Sequence, residues 1–183
     1  MIDIIFLGTG TSQGVPIIGC DHPVCKSSNI KDRRLRVSVA LKWDKFFFVI
    51  DCGPDFRQQM LNIGTSKLDG ILYTHEHADH TAGLDDIRPF YFKQGKIDLF
   101  LTKRVFKYLS KRFDYIFNDN NKYPGTPSVS TKIISKNENF ILGNKEVVPV
   151  EAFHGKLPII GYRIDNFAYL TDVKSISDIE ILK

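Results

Sequence analysis

Cysteine is scarce in this chain. Cys20, Cys25 and Cys52 are the only three among 183 residues, which suits thiols or metal ligands better than a disulfide framework. No apolar run reaches 18 residues, so no transmembrane helix is expected and no membrane partner. The first ten residues, MIDIIFLGTG, lack a basic leader and their apolar run stops at Gly8, so they make a poor secretory signal; a cytoplasmic location is expected. An excess of one charge is missing too. The formal charge is +4, and the only dense cluster is KDRRLR at 31–36. A solvated turn accounts for that cluster better than a phosphate site, and a general nucleic-acid binder is usually more basic. Repeats and low-complexity segments are absent.

What remains fits one domain over 1–183 with a real core, since 43% of residues are hydrophobic. Residues 2–8 read as a buried strand and 8–16 (GTGTSQGVP) as a Gly-rich loop. The clearest hairpin is 37–51, with its turn at Trp43-Asp44-Lys45. Pro54 suits the first turn of a following helix and Gly64 its C-cap. Residues 68–74 and 97–102 read as strands, and 103–117 as an amphipathic helix with Val105, Leu109 and Phe113 on one face. Residues 118–128 form a loop. Four further strands follow, with turns at Asn144 and Asp165-Asn166, and a helix begins near 175–183 with Ser175 or Ser177 as its cap. Mixed sheets with helices outside them, an α/β (α+β) class, follow from this order.

The chemistry concentrates in YTHEHADHTAG (73–83). The chain has five histidines, and three of them fall between His75 and His80. Alternate residues of an extended segment share a face, so His75 and His77 can aim at one point. A helix starting near Asp79 would turn Asp79 and His80 toward a neighbouring point. Imidazole with carboxylate suits zinc, manganese or iron, and two adjacent metals can act together on a phosphoryl group. Partners must come from elsewhere: His154 and Asp172 both lie at predicted strand ends. Taken alone, His154 is as easily a satisfied histidine, and Asp172 reads more simply as a turn or helix-start aspartate.

The pattern His75-x-His77-x-Asp79-His80, followed by His154 and Asp172, resembles the metallo-β-lactamase superfamily over nearly the whole chain. The resemblance implies an αββα sandwich of two mixed sheets. It implies that His75, His77 and His154 hold one metal, that Asp79 and His80 hold a second, and that Asp172 bridges them. Asp51 would support the histidines from behind. GTGTSQGVPIIGC (8–20) and HADHTAGLDDIRPF (77–90) are similar to the branch containing the phosphoribosyl 1,2-cyclic phosphate phosphodiesterase, with GLDDIRPF the more specific segment. The implied function is hydrolysis of a small or cyclic phosphodiester, with two divalent metals (Zn or Mn), a hydroxide shared between them as nucleophile, and Asp79 orienting it. Arg88 either binds substrate phosphate or pairs with Asp85 or Asp86, the pairing being the simpler role.

Cys20, His22 and Cys25 stand where that branch often carries a structural zinc; ordinary thiols are the alternative. The same pattern implies a last strand, helix and metal-binding histidine beyond Asp172, which the sequence to Lys183 does not include. A fragment of a longer protein, a homodimer whose second subunit supplies the missing part, or a shortened form are the three explanations, and the first is expected. The chain as written is therefore expected to be a weak or inactive hydrolase with an incomplete site. Two other functions stay open: a non-catalytic or single-metal relict of the fold, and a transfer-RNA-processing nuclease, although no long basic arm supports nucleic acid as a partner.

Overall fold

The computed structural model describes residues 1–183, the side chain of residue 121 excepted. The strands are β1 (Asp3–Gly8), β2 (Ser38–Trp43), β3 (Phe46–Ile50), β4 (Gly70–Leu72), β5 (Ile97–Leu101), β6 (Val129–Ile133), β7 (Phe140–Leu142), β8 (Lys145–His154), β9 (Leu157–Ile164) and β10 (Phe167–Tyr169). The helices are α1 (Pro23–Lys26), α2 (Phe56–Ile63), α3 (Ala78–Thr81), α4 (Arg88–Gln94), α5 (Lys103–Arg112), α6 (Asp114–Phe117) and α7 (Asp178–Ile181).

The first six strands lie in one sheet in chain order. β1, β2 and β3 pair antiparallel, and β3 through β6 run parallel. The second sheet has the order β10-β9-β8-β7 and is antiparallel throughout. Two mixed sheets are expected from sequence; the second is not mixed because its strands follow one another through tight turns. Those turns use left-handed backbone at Gly143, Gly155 and Asp165. A connection that short joins only antiparallel neighbours.

Alternation along the hairpin builds two cores from one sheet. Val39, Leu41 and Trp43 of β2, with Phe48 and Ile50 of β3, face the second sheet and meet Val147, Ile160, Tyr162 and Ile164. Ala40, Phe47 and Val49 face the other way, toward Phe56, Met60, Phe90, Val105 and Leu109 of the covering helices. Successive strand residues point to opposite faces, so one stretch of sequence fills both layers. α7 lies on the second sheet, where Glu180 Oε2 accepts from the Glu151 N–H at 2.7 Å. The order helix, sheet, sheet, helix is the sandwich implied by the resemblance.

Three details differ from the sequence expectation. The helix of 103–117 breaks at Phe113, whose backbone leaves the helical region as its ring enters the core. Residues 84–94, unassigned from sequence, form a 3₁₀ turn (Leu84–Ile87) and α4. Arg88 precedes Pro89, a position normally biased away from helix, which hides this element. Pro54 sits just outside α2, which begins at Phe56, while Gly64 is the left-handed C-cap that its position predicts. Among the described residues no helix is long and apolar enough to cross a membrane.

The sheets are stitched together directly below the histidine loop. The Tyr162 hydroxyl donates to the Tyr73 carbonyl at 2.6 Å, and the Ile160 N–H donates to the Thr74 carbonyl at 3.0 Å. The start of the loop is thereby fixed to both layers. Leu41 has no exposed surface between the sheets. Leu41→Ala is expected to cost about 2–5 kcal/mol of unfolding free energy, from lost burial plus a residual cavity. Equilibrium urea denaturation measures it, and a loss below about 1 kcal/mol would show that the inter-sheet layer recloses over the gap.

Candidate metal centre

The site is built from behind, starting at Asp51. β3 ends at Ile50, and the next residue turns into left-handed backbone with φ 64°. Its carboxylate is wholly buried. Oδ1 accepts the Thr74 N–H at 2.8 Å; Oδ2 accepts the Thr74 hydroxyl at 2.8 Å and the His80 Nδ1–H at 2.7 Å. A buried charge is tolerable only with such partners. The Thr74 hydroxyl donates its hydrogen to Asp51, so its oxygen accepts the His75 Nδ1–H at 2.9 Å. The network thus places the N–H of both rings on Nδ1 and turns both Nε2 atoms toward the cleft.

The two imidazoles differ in charge. Burial and the neighbouring His80 push His75 down to about 4, so it is neutral with a free lone pair. Burial opposes charge on His80 as well, yet Asp51, Asp172 and Asp79 outweigh it and push the ring up to about 12. His80 Nε2 lies 3.1 Å from Asp172 Oδ2 and 3.3 Å from Asp79 Oδ2. This point of the site therefore favours positive charge. Against the cost of burial, the His80 contact holds Asp172 at about 2, and it keeps Asp79 below the usual carboxylate range. Both acids are acceptors at neutral pH.

Ligand atoms of His75, His77 and Asp172 all lie within 4.8 Å of one another, and so do those of Asp79, His80 and Asp172. α3 accounts for the second set, since its first turn swings Asp79 and His80 toward Asp172. His77 stands at its N-cap position, with its ring 4.6 Å from that of His75. Asp172, at φ 57° just past β10, is common to both sets. His154, exposed at the end of β8, is near but outside the tight sets: its ring is 5.4 Å from that of His77 and 6.0 Å from that of His75. His75 Nε2 is buried and has no hydrogen-bond partner. An orphaned buried acceptor costs roughly 1–3 kcal/mol, and a cation shared with His77 and Asp172 would satisfy it. The donor set therefore fits divalent metal.

Close backbone approach locks the loop in place. Cys52 N–H donates to the His80 carbonyl at 2.8 Å, and Gly83 N–H to the Cys52 carbonyl at 2.9 Å. A Cβ on Gly53 would lie 2.0 Å from the Asp79 carbonyl oxygen, so only glycine permits this contact. Glu76, the acid between the two histidines, faces away from the cleft. Arg104 of α5 holds its Oε1 through Nε at 2.8 Å and Nη2 at 2.7 Å. The sequence gives Glu76 no role, because its partner is 28 residues away. A cleft of ≈ 380 Å³ opens before the site, lined by Thr9, Gly10, Thr11, Ser12, Val37 and Thr171 beside the metal-binding candidates. The Gly-rich loop is thus a wall of the cleft, which its composition alone does not reveal.

Two sequence candidates are placed otherwise. Arg88 is engaged by Asp85 at 2.7 Å and by the Tyr123 hydroxyl at 2.7 Å, and it does not line the cleft. The pairing alternative is the one observed, as expected for opposite charges three residues apart on a helical turn. Cys20, His22 and Cys25 do not converge as a metal-binding trio among the described residues. His22 Nδ1 instead accepts the Val24 N–H and caps α1, while Cys25 Sγ accepts the Ile17 N–H at 3.5 Å.

Asp51→Asn keeps the size of the buried group but removes the charge that orients Thr74 and His80. Metal affinity is expected to fall about 10–100-fold with the fold retained. Competition with a chromogenic chelator measures this, and unchanged affinity would show that the histidines hold their orientation unaided.

A family model described as the beta-lactamase superfamily domain matches residues 47–182. The chain is 41% identical over 182 residues to an octanoyltransferase of Porphyromonas gingivalis, covering 98% of this chain and 37% of that protein. It is 26% identical over 188 residues to a ribonuclease Z of Bacillus licheniformis, covering 100% of this chain and 53% of that protein. The chain thus spans between a third and about half of the length of these curated relatives. Among solved structures, a diphosphatase from the PhnP family superposes with a TM-score of 0.90 at 40% identity, over 100% of this chain and 70% of that one. Sequence match and superposition agree with the histidine-loop geometry, and the chain belongs to the metallo-β-lactamase superfamily, in the branch of the PhnP family.

Proposed function

We propose that the chain is a metal-dependent hydrolase of small phosphate diesters. The observation that carries this reading is the pair of donor sets sharing Asp172, with His75 Nε2 of the first set buried and without a hydrogen-bond partner. His75, His77 and His154 would hold one divalent cation; Asp79 and His80 would hold another, with Asp172 common to both. Zinc and manganese both accept these donors. Such cations supply charge to offset a phosphoryl group and a water acidic enough to attack it at neutral pH. Asp79 faces the cleft as a carboxylate and is suited to orient that water. Asp51 and Thr74 keep the imidazoles fixed while this happens. On this reading residues 1–183 act as one domain, because both sheets contribute to one cleft. The unbridged thiols suit work in the cytoplasm.

The cleft also limits the substrate. Among the described residues lining it there is no Phe, Tyr or Trp to stack a base and no Lys or Arg to track a polynucleotide backbone. Val37 is its one apolar side chain apart from threonine methyls, a poor surface for a fatty acyl group. Hydroxyls of Thr9, Thr11, Ser12 and Thr171 favour a polar organic group such as a sugar. The likeness to ribonuclease Z makes precursor transfer RNA the comparison substrate.

Metal-reconstituted protein is expected to carry two equivalents of Zn²⁺ or Mn²⁺ and to hydrolyse bis(p-nitrophenyl) phosphate. His77→Ala should lower turnover by about 10²-fold or more, the scale of losing one electrostatic stabiliser of the transition state. Binding of two metals without turnover of this diester would overturn the hydrolase reading in favour of a metal-binding relict. Cleavage of precursor transfer RNA in its place would favour the nuclease.

A further inference from the structure

The Gly-rich wall of the cleft is held from outside by one arginine. Flanking backbone bonds secure the ends of the loop: Gly10 N–H donates to the Leu35 carbonyl at 2.8 Å, and Val15 and Arg34 exchange N–H donors at 2.9 and 2.8 Å. Its tip, Thr11 and Ser12, extends beyond these bonds. There the Arg36 Nε–H donates to the Ser12 carbonyl at 2.8 Å. The same guanidinium donates through Nη1 to Asp55 Oδ1 at 2.9 Å, and the Arg36 backbone N–H donates to Asp55 Oδ2 at 2.8 Å. The Arg36 carbonyl is in turn held by Nε2 of the buried Gln59 at 2.9 Å.

Asp55 belongs to the short segment that leaves Asp51 and presses Gly53 on the Asp79 carbonyl. Arg36 therefore spans from the segment behind the metal-binding candidates to the opposite wall, without lining the cleft itself. Its side chain is only 27% exposed and that of Asp55 20%. Only a planar fork with donors pointing two ways can join a carbonyl and a carboxylate in this manner; a lysine ammonium on a flexible stem cannot fix both.

We propose that Arg36 is a positioning residue for substrate: its bridge from Asp55 to Ser12 fixes the Thr9–Ser12 wall that receives the organic part of the diester. This rests on the hydrolase reading above. A purely structural ion pair would lower stability and leave the substrate constants alone, so the two roles are separable.

The experiment compares the metal-reconstituted wild-type chain with Arg36→Lys and Asp55→Asn, using bis(p-nitrophenyl) phosphate, metal content and hydrogen exchange over 9–14. Both variants are expected to keep two metals and a kcat within about twofold, to raise KM about tenfold, and to exchange amide protons faster in 9–14. Two substitutions on opposite sides of the bridge guard against one failing to fold. Unchanged KM and exchange in a folded variant, beside an active wild type, would overturn the proposal alone. Lack of turnover by the metal-loaded wild type would overturn the hydrolase reading, and the role of the wall with it.

Discussion

A carboxylate sealed from water must find a donor for its lone pairs or give up its charge, and Asp51 solves this with a main-chain amide, a hydroxyl and an imidazole. Each partner is then oriented by the bond it makes. The Thr74 hydroxyl becomes an acceptor toward His75, and His80 is held by its Nδ1. Two imidazoles separated by four residues are thereby aimed through their Nε2 atoms at one cleft. The charge of Asp51 is also the main support for positive charge on His80, offsetting burial. Geometry and electrostatics of the centre thus trace back to one buried group, at the point where β3 stops.

The sheets explain why the opposite donors arrive at the same place. β4 delivers the chain to Tyr73 and Thr74, and β9 takes hold of both carbonyls from the second sheet. The strand ends of that sheet then carry His154 and, just past β10, Asp172. The segment following Asp172 returns to β8, where Phe153 and Ser175 form a bridge beside His154. Residues as far apart in sequence as His80 and Asp172 are neighbours because the inter-sheet core fixes how far one sheet can slide over the other. A side-chain-dense layer of Val39, Leu41, Phe48, Ile160 and Tyr162 resists such sliding far more than a hydrogen bond at the rim would.

The histidine loop was legible because its information is local: spacing and residue type decide where His75, His77, Asp79 and His80 can point. The supporting role of Asp51 is implied by the family resemblance, the residues around it showing only that it stands at the end of a strand. The hairpin, the cap at Gly64 and the turn at Asp165 also follow from nearest neighbours. What escaped depends on partners chosen across the fold. Glu76 has no role in the sequence reading, and only the fold shows Arg104 holding it. Nothing in the local sequence shows that His22 Nδ1 caps α1. Arg88 and Arg36 are both arginines near carboxylates, and only the tertiary structure shows that the first closes a local turn while the second reaches the cleft wall. The antiparallel second sheet was readable in principle from its short turns, whereas α4 was masked by a proline in its own first turn.

Left-handed backbone at Asp51 and Asp172 deserves a physical explanation, since two of the site's acids share it. Such a conformation costs of order 1 kcal/mol or more for a residue with a side chain, and aspartate tolerates it better than most. What it achieves is reversal: a strand that carried its side chains perpendicular to the sheet ends with a short carboxylate turned sideways across the strand ends. Glutamate would reach too far and bear the strain less well; asparagine would bear the strain but bring no charge. Aspartate is the one residue that meets both demands, so the same backbone choice also sets where negative charge stands. At Asp51 that charge is spent inward on Thr74 and His80, and at Asp172 outward, on His80 at the cleft. The two aspartates therefore hold the His80 ring from opposite sides, one at each nitrogen.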